Sequence, residues 1–329
     1  MIDSIAYSNA TPWHKLGTRM PGTMNVETAL TAAQLRWTVR LDPVYLRNSD
    51  GTAGAQVPDR SAVIREDRNK IIGNVGPLFA PIQNHDAFGV LSDVCRDHGV
   101  TIEVAGALDE GRRTWMLAKM PDDQTITPIA GDDVRGYFLI HNGHDGSLAY
   151  GGRCTPIRVV CQNTLTAALG SRHNADVVRI RHTSNAGARL DEAARLIKTM
   201  IQAMKQTGET FSDMARQAMT PEQIRQYIER VIPHPDPKQP SDAITKRRKI
   251  IASLVFAGNG AELANADMPQ GYASVWGAYN AVTEYWDHVR PAETKSRSAE
   301  RSAYESLVFG SAQTAKAKAL DVARELVTV

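Results

Sequence analysis

The sequence predicts an α+β protein: an antiparallel β-sheet with inserted helices, followed by a helical C-terminal region. Three observations carry this reading. Between residues 101 and 160, short runs rich in β-branched and aromatic residues alternate with Gly- and Asp-containing turns, the pattern of hairpins. From about residue 185 the apolar residues recur at helical spacing instead. At 329 residues, 42% hydrophobic and 22% charged, the chain can bury one large core or two ordinary ones without disulfide or metal staples. The change of pattern divides it into an α+β sheet domain over residues 1–185 and a helical region over residues 186–329.

In the first half, Asn25–Leu35 reads as a capped helix running into a strand over Trp37–Leu46. Residues 61–65 and 70–75 form a hairpin about Asp67-Arg68-Asn69, ended by Gly76-Pro77. Asn84–Arg96 has helical period, with Phe88, Leu91 and Cys95 on one face. Thr101–Leu108 and Arg113–Met120 flank the turn Asp109-Glu110-Gly111. Val134–Ile140 and Ser147–Tyr150 flank a turn from His141 to Gly146. Pro156–Val160 is an apolar strand leading into a short helix, Cys161–Leu169, which completes a β-β-β-α core. Val177–Arg181 alternates, so Arg179 and Arg181 share one face and Val178 and Ile180 the other.

In the second half, Ala188–Lys205 reads as a long amphipathic helix. Thr220-Pro221-Glu222-Gln223 is a capping box with proline at the first helical position, so Pro221–Val231 is a helix. The proline-rich loop 233–240 precedes Ser241, which caps Asp242–Phe256; Gly258-Asn259-Gly260 ends that helix. Ser274–Val289 is aromatic-rich, with Tyr279, Val282 and Trp286 at the spacing of a packed face. Helices near Ser298–Leu307 and Ala312–Val327 finish the chain.

Three cysteines at irregular spacing, Cys95, Cys154 and Cys161, do not make a disulfide framework and point to a reducing compartment. No basic, then apolar, leader opens the sequence, and no apolar run approaches the roughly 18 residues a membrane span needs. A cytoplasmic protein with no membrane partner is expected. The net charge is only +2, but it is unevenly spread. Residues 1–134 hold 13 Lys and Arg against 17 Asp and Glu, whereas residues 135–182 hold six arginines against two aspartates. The central cations are all arginine, the residue that grips phosphate bidentately.

His141, His144 and Asp145 lie within five residues, which suggests a divalent-metal site able to activate water. They occupy a turn that itself demands Asn-Gly and Asp-Gly, and no complete ligand set accompanies them, so no metal or catalytic residue is assigned. Cys154 and Cys161 read as buried structural thiols. Neither GxGxxG opening a helix nor GxxxxGK[ST] is present, so no nucleotide cofactor is expected. The strongest binding signal is a basic set, Arg112, Arg113, Arg153, Arg158, Arg179 and Arg181, interleaved with Trp115, Tyr137 and Tyr150. Cations that track phosphates and rings that stack on bases suit a single-strand platform. Lys246, Arg247, Arg248 and Lys249, consecutive on one predicted helix, form a second basic patch.

Several motifs recur in order: WHKLG at 13–17, VGP at 75–77 with PIQN at 81–84, AGALDEGRRTW at 105–115, HNGHDGS at 141–147, TPIRVVCQNTL at 155–165, WGAYNAVTEY at 276–285 and Phe309-Gly310. Together they resemble the phage/plasmid-like family whose shared domain has no assigned function. His141 and Gly143 depart from the lead expected before His-Asp-Gly. The resemblance implies a mobile-element protein acting in the cytosol of a host cell. The run of hairpin strands and a short helix over Thr101–Leu169 is further similar to the β-β-β-α core of Rad52-like single-strand annealing proteins. That similarity implies an ATP-independent protein that binds and anneals single-stranded DNA as a ring or helical homo-oligomer, with the ten cations named above on the DNA. Two alternatives are a metal-dependent nuclease using His144 and Asp145, and a non-enzymatic host-interaction protein such as a defence inhibitor.

Overall fold

The structure, a computed structural model, describes residues 2–8, 17–122, 125–158, 178–186, 189–192, 195, 208–236, 239–290 and 311–327. The short helix expected at Cys161–Leu169, most of Ala188–Lys205 and the helix near Ser298–Leu307 lie outside the described residues. The chain divides into two compact units, one within Met1–Pro121, Phe138–Arg153 and Asp176–Met200, the other within Asp122–Tyr137, Cys154–Ala175 and Ile201–Val329. The fold is mixed α+β with mainly antiparallel pairing, as the sequence predicts. Among the described residues no helix is long and apolar enough to cross a membrane.

The main sheet follows the order β2 (Thr18–Met20), β1 (Ile2–Ser8), β6 (Thr101–Leu108), β7 (Arg113–Lys119), β9 (Asp132–Gly143), β10 (Tyr150–Arg158) and β11 (Val178–Ile180). The β6–β7 hairpin is the one expected from the sequence, but its other neighbour is β1, which the local pattern does not announce. β1 runs antiparallel to β6, with Ile5 opposite Gly106, and parallel to β2. β9 continues through His141, Asn142 and Gly143, residues that the turn chemistry had placed in a loop. Their burial explains the difference: strand continuation satisfies backbone groups that a dry turn would leave open.

A second, three-stranded sheet joins β3 (Val39–Arg47), β4 (Ala53–Arg65) and β5 (Lys70–Val75), closing over Trp37, Val39, Val63, Ile72 and Val75. Two helices complete this unit. α1 (Val26–Ala32) starts at a capping box, in which the Asn25 side chain accepts from the Thr28 amide. α2 (Asn84–His98) buries Ala87, Phe88, Leu91 and Val94. The Arg65 guanidinium is only 2% exposed yet charged; it lies 4.4 Å above Trp37, pairs with Asp67 at 2.8 Å and donates to the Glu110 carbonyl at 2.9 Å. Gly111 makes this stack possible: at φ +98° a Cβ would stand 2.7 Å from the Trp37 ring.

The second unit is built around α6 (Val275–Glu284), buried at all ten positions, as a central helix is. It continues as a π-helical turn, Tyr285–Val289. α3 (Pro221–Val231) begins at the predicted capping box on Thr220. α4 (Asp242–Ala257), the short α5 (Ala261–Ala264) and α7 (Ser311–Val327) pack on α6. β8 (Ile126–Ile129) pairs with the opening of β9, and there Asp132 accepts from the Trp276 indole at 2.8 Å. Deeper still, Lys316 and Asp287 form a buried ion pair at 2.8 Å.

Gly111→Ala is expected to lower stability by about 2–4 kcal/mol, the sum of left-handed backbone strain and overpacking. Gly22→Ala, also at positive φ but with open space around it, should cost about 1 kcal/mol. Urea unfolding of both variants checks the difference, which isolates the contact with Trp37.

Candidate nucleic-acid interface

A surface arginine either meets a carboxylate or stays hydrated and available to a polyanion. Among the described residues β11 stands at the edge of the main sheet and pairs with β10, Gly151 lying opposite Arg179. Val178 and Ile180 point inward at 2% and 3% exposure, while Arg179 and the following Arg181 are exposed. The Arg189 guanidinium donates to the Arg179 carbonyl at 3.4 Å, bringing a third exposed cation to this edge. Arg112 is exposed at the start of β7. Its carbonyl accepts from the His144 amide at 2.8 Å, just beyond the end of β9, so Arg112 and the β9–β10 loop share one end of the sheet. β10 begins there, and β11, antiparallel to it, ends there with Arg181 following. Among the described residues, Arg112, Arg179 and Arg181 have no side-chain ion pair.

The other expected contacts fall differently. Arg113 is half-buried. The side chains of Arg153, Arg158 and Cys154, and all of Cys161, lie outside the described residues. Trp115, Tyr137 and Tyr150 do not form an exposed stacking surface: they are 3%, 5% and 0% exposed. β6, β7 and β9 are buried almost continuously, as strands covered on both faces are, and this leaves their aromatics no open side. In the second unit, Lys246 and Lys249 are exposed, but Arg247 and Arg248 are half-buried. Arg248 donates to the Ile232 carbonyl at 2.9 Å, with Glu229 at 3.6 Å, and Arg247 lies over Trp286 at 5.3 Å. Four consecutive cations wrap a helix turn, so half of them must face the protein.

The HNGHD segment builds a polar core at the arginine-bearing end of the sheet. Asn84, 1% exposed at the head of α2, donates to the Leu35 carbonyl at 3.1 Å. Its side-chain oxygen accepts from Thr114 Oγ1 at 3.0 Å and faces His144 Nε2 at 2.9 Å. That oxygen only accepts, so His144 carries a proton on Nε2. Asn142 donates to the Ile82 carbonyl at 2.8 Å. Burial first, and then the charges of His182 and Arg65, push His144 down to about 3. His182, stacked on Phe79 at 5.1 Å, is pushed down to about 4, mainly by burial. Asp145 accepts from the Ser147 amide and hydroxyl at 2.9 and 2.6 Å, closing an Asx turn. Thus His144 and Asp145 hold the loop rather than converge on one point. Among the described residues no three His, Cys, Asp or Glu side chains gather as a metal site requires. Sequence reasoning passed over Asn84 and His182; the one local signal was a polar residue opening an apolar helix.

A family model described as a domain of unknown function (DUF932) matches residues 71–308, from β5 to beyond the π-helical turn. No curated protein and no solved structure matches the chain.

His144 is neutral in the folded protein down to about pH 3, whereas in the unfolded chain it takes a proton near the ordinary 6.5. Stability is therefore full above about pH 6.5 and is lost as pH falls towards 3, by at most about 1.4 kcal/mol per pH unit for this group. Urea unfolding midpoints measured from pH 7 to pH 4 should fall less steeply in His144→Gln than in the wild type. Equal slopes would remove His144 as a source of acid sensitivity.

Proposed function

The chain belongs to the DUF932 family, a domain of unknown function, and we propose that it is an ATP-independent protein that binds and anneals single-stranded DNA. The observation that carries this reading is the edge strand β11: Arg179 and Arg181 are exposed and have no ion pair among the described residues. Arginine presents a planar fork that fits a phosphate with two parallel hydrogen bonds. A row of such groups along a strand would release counterions from a DNA backbone and bind it irrespective of sequence. With Trp115, Tyr137 and Tyr150 in the core, the grip falls on phosphates rather than stacked bases. Arg112 adds a cation at the same end of the sheet, and Lys246 and Lys249 are exposed cations of the second unit.

Annealing follows from the same chemistry. Partial neutralisation lets two complementary strands approach, and pairing itself needs no nucleophile, metal or nucleotide. A ring or helix of copies would lay out the arginine edges in series, the arrangement of the Rad52-like proteins, in a phage or plasmid recombination system. That last step is an analogy between consecutive antiparallel strands in the two folds.

The double variant Arg179→Ala/Arg181→Ala tests the reading by fluorescence anisotropy with a labelled single-stranded oligonucleotide. Affinity should fall, and the plot of log K against log salt should become shallower by about 1.4, two phosphate contacts at about 0.7 each. Unchanged affinity and slope would exclude these arginines. A wild type without DNA affinity at physiological salt would favour a protein partner for the basic edge.

A further inference from the structure

The three-stranded sheet ends in an arm. β5 pairs with β4 only from Ser61 onward, so β3 and β4 between Pro43 and Arg60 form a hairpin of two strands. Its turn is tied: the Asn48 amide donates to the Thr52 carbonyl at 3.0 Å, and the Thr52 amide and hydroxyl donate to Asp50 at 2.9 and 2.7 Å. β3 steps from Pro43 to Tyr45 to Arg47 opposite Ser61, Gln56 and Ala53 of β4. The extra residues are all on β4, so β3 alternates regularly. Tyr45 and Arg47 therefore share one face, about 7 Å apart along the strand. Exposure rises along that face, from 4% at Val39 to 37% at Leu41 and 52% at Tyr45. Among the described residues of the first unit, Tyr45 is the one exposed Phe, Tyr or Trp. Arg47 is exposed and has no side-chain ion pair among the described residues. Its guanidinium lies over the turn, 3.3 Å from where a Cβ on Gly51 would stand. Of the carboxylates here, Asp42 is held by Arg40 at 3.1 Å and Asp50 by Thr52, while Asp59 neighbours Arg60 on β4.

The edge of β3 limits what can cover this face. Val39 turns its amide and carbonyl outward to the Gln83 side chain, both at 2.9 Å. Pro43 faces the same edge by alternation and has no N–H to offer. An added strand, from a second copy or a peptide, would find the edge taken at Val39 and a donor missing at Pro43. The side chains remain open: a flat ring approached over Leu41, and beside it a planar cation. A base of any identity stacks on such a ring, and its phosphate is complementary in charge to the cation. With Trp115 and Tyr150 buried, a base has to find its ring away from the main sheet.

We propose that the β3–β4 arm is a second contact for single-stranded DNA, in which Tyr45 stacks on a base and Arg47 holds a neighbouring phosphate. This contact rests on the nucleic-acid reading and adds to it the element that touches bases. The β11 edge grips the backbone; the arm grips a base and backbone together.

Fluorescence anisotropy of the full chain with labelled oligothymidylate, and with an abasic strand of the same length, tests the arm. The abasic strand keeps every phosphate and has no base to stack. Tyr45→Ala should weaken oligothymidylate binding on the order of tenfold at an unchanged salt slope, and Tyr45→Phe should restore it. Against the abasic strand, Tyr45→Ala and the wild type should bind alike. Arg47→Gln should weaken binding to both strands and make the plot of log K against log salt shallower by about 0.7. Both residues are exposed, and urea midpoints check that the variants stay folded. Wild-type affinity in Tyr45→Ala, or an equal loss on both strands, would overturn the arm contact and leave the Arg179 and Arg181 edge standing. A wild type that binds neither strand would overturn the nucleic-acid reading and the arm contact together. A dimer in sedimentation that Tyr45→Ala abolishes, with oligothymidylate affinity unchanged, would give the arm to a second copy and overturn the contact.

Discussion

One buried amide ties the first unit together. The side chain of Asn84 reaches the Leu35 carbonyl, the Thr114 hydroxyl and the His144 ring, so four segments far apart in sequence meet on three hydrogen bonds. In a dry interior each of these bonds is strong, and each partner left alone would cost its full desolvation. The arrangement also settles the chemistry of the loop that follows β9. His144 is fixed in one neutral tautomer, its amide anchors the Arg112 carbonyl, and Asp145 closes the next turn. The HNGHD segment therefore serves as a brace, and the end of the sheet that it braces is where Arg112 and Arg181 emerge.

The cations of this protein sort into two physical classes. Arg65, Arg247 and Arg290 lie over Trp37 or Trp286, where the ring quadrupole compensates part of their lost hydration. Arg112, Arg179 and Arg181 remain at the surface. Only the second class needs no rearrangement to meet a phosphate. Arg65 shows the limit of the first: its fork is fully taken by Asp67 and the Glu110 carbonyl. Arg247 donates to the Tyr285 hydroxyl.

Local patterns in the sequence were enough for the elements that depend on local chemistry. The capped helix start at Asn25, the capping box at Thr220, the β6–β7 hairpin and the alternation that exposes Arg179 between Val178 and Ile180 all stand where the residues predict them. What depends on distant pairing was not legible. β1 reads as nothing in particular until it is set beside β6, about a hundred residues away, and β9 extends into HNG because its neighbours bury it. The aromatic rings misled for the same reason: an exposed and a buried tyrosine look alike on a strand whose second face is covered by elements not adjacent in sequence. The polar brace was half visible, since the histidines stood out, but their partner Asn84 lies some sixty residues earlier.

The central proposal is that the exposed arginines along the β11 edge bind a phosphate backbone. It is tested most directly by anisotropy of the wild-type protein with a labelled single strand, titrated with salt in the presence of EDTA. The account predicts binding that survives EDTA, leaves the oligonucleotide intact and weakens linearly in log salt. Binding that requires a divalent metal and shortens the oligonucleotide, or no binding at moderate salt, would contradict it.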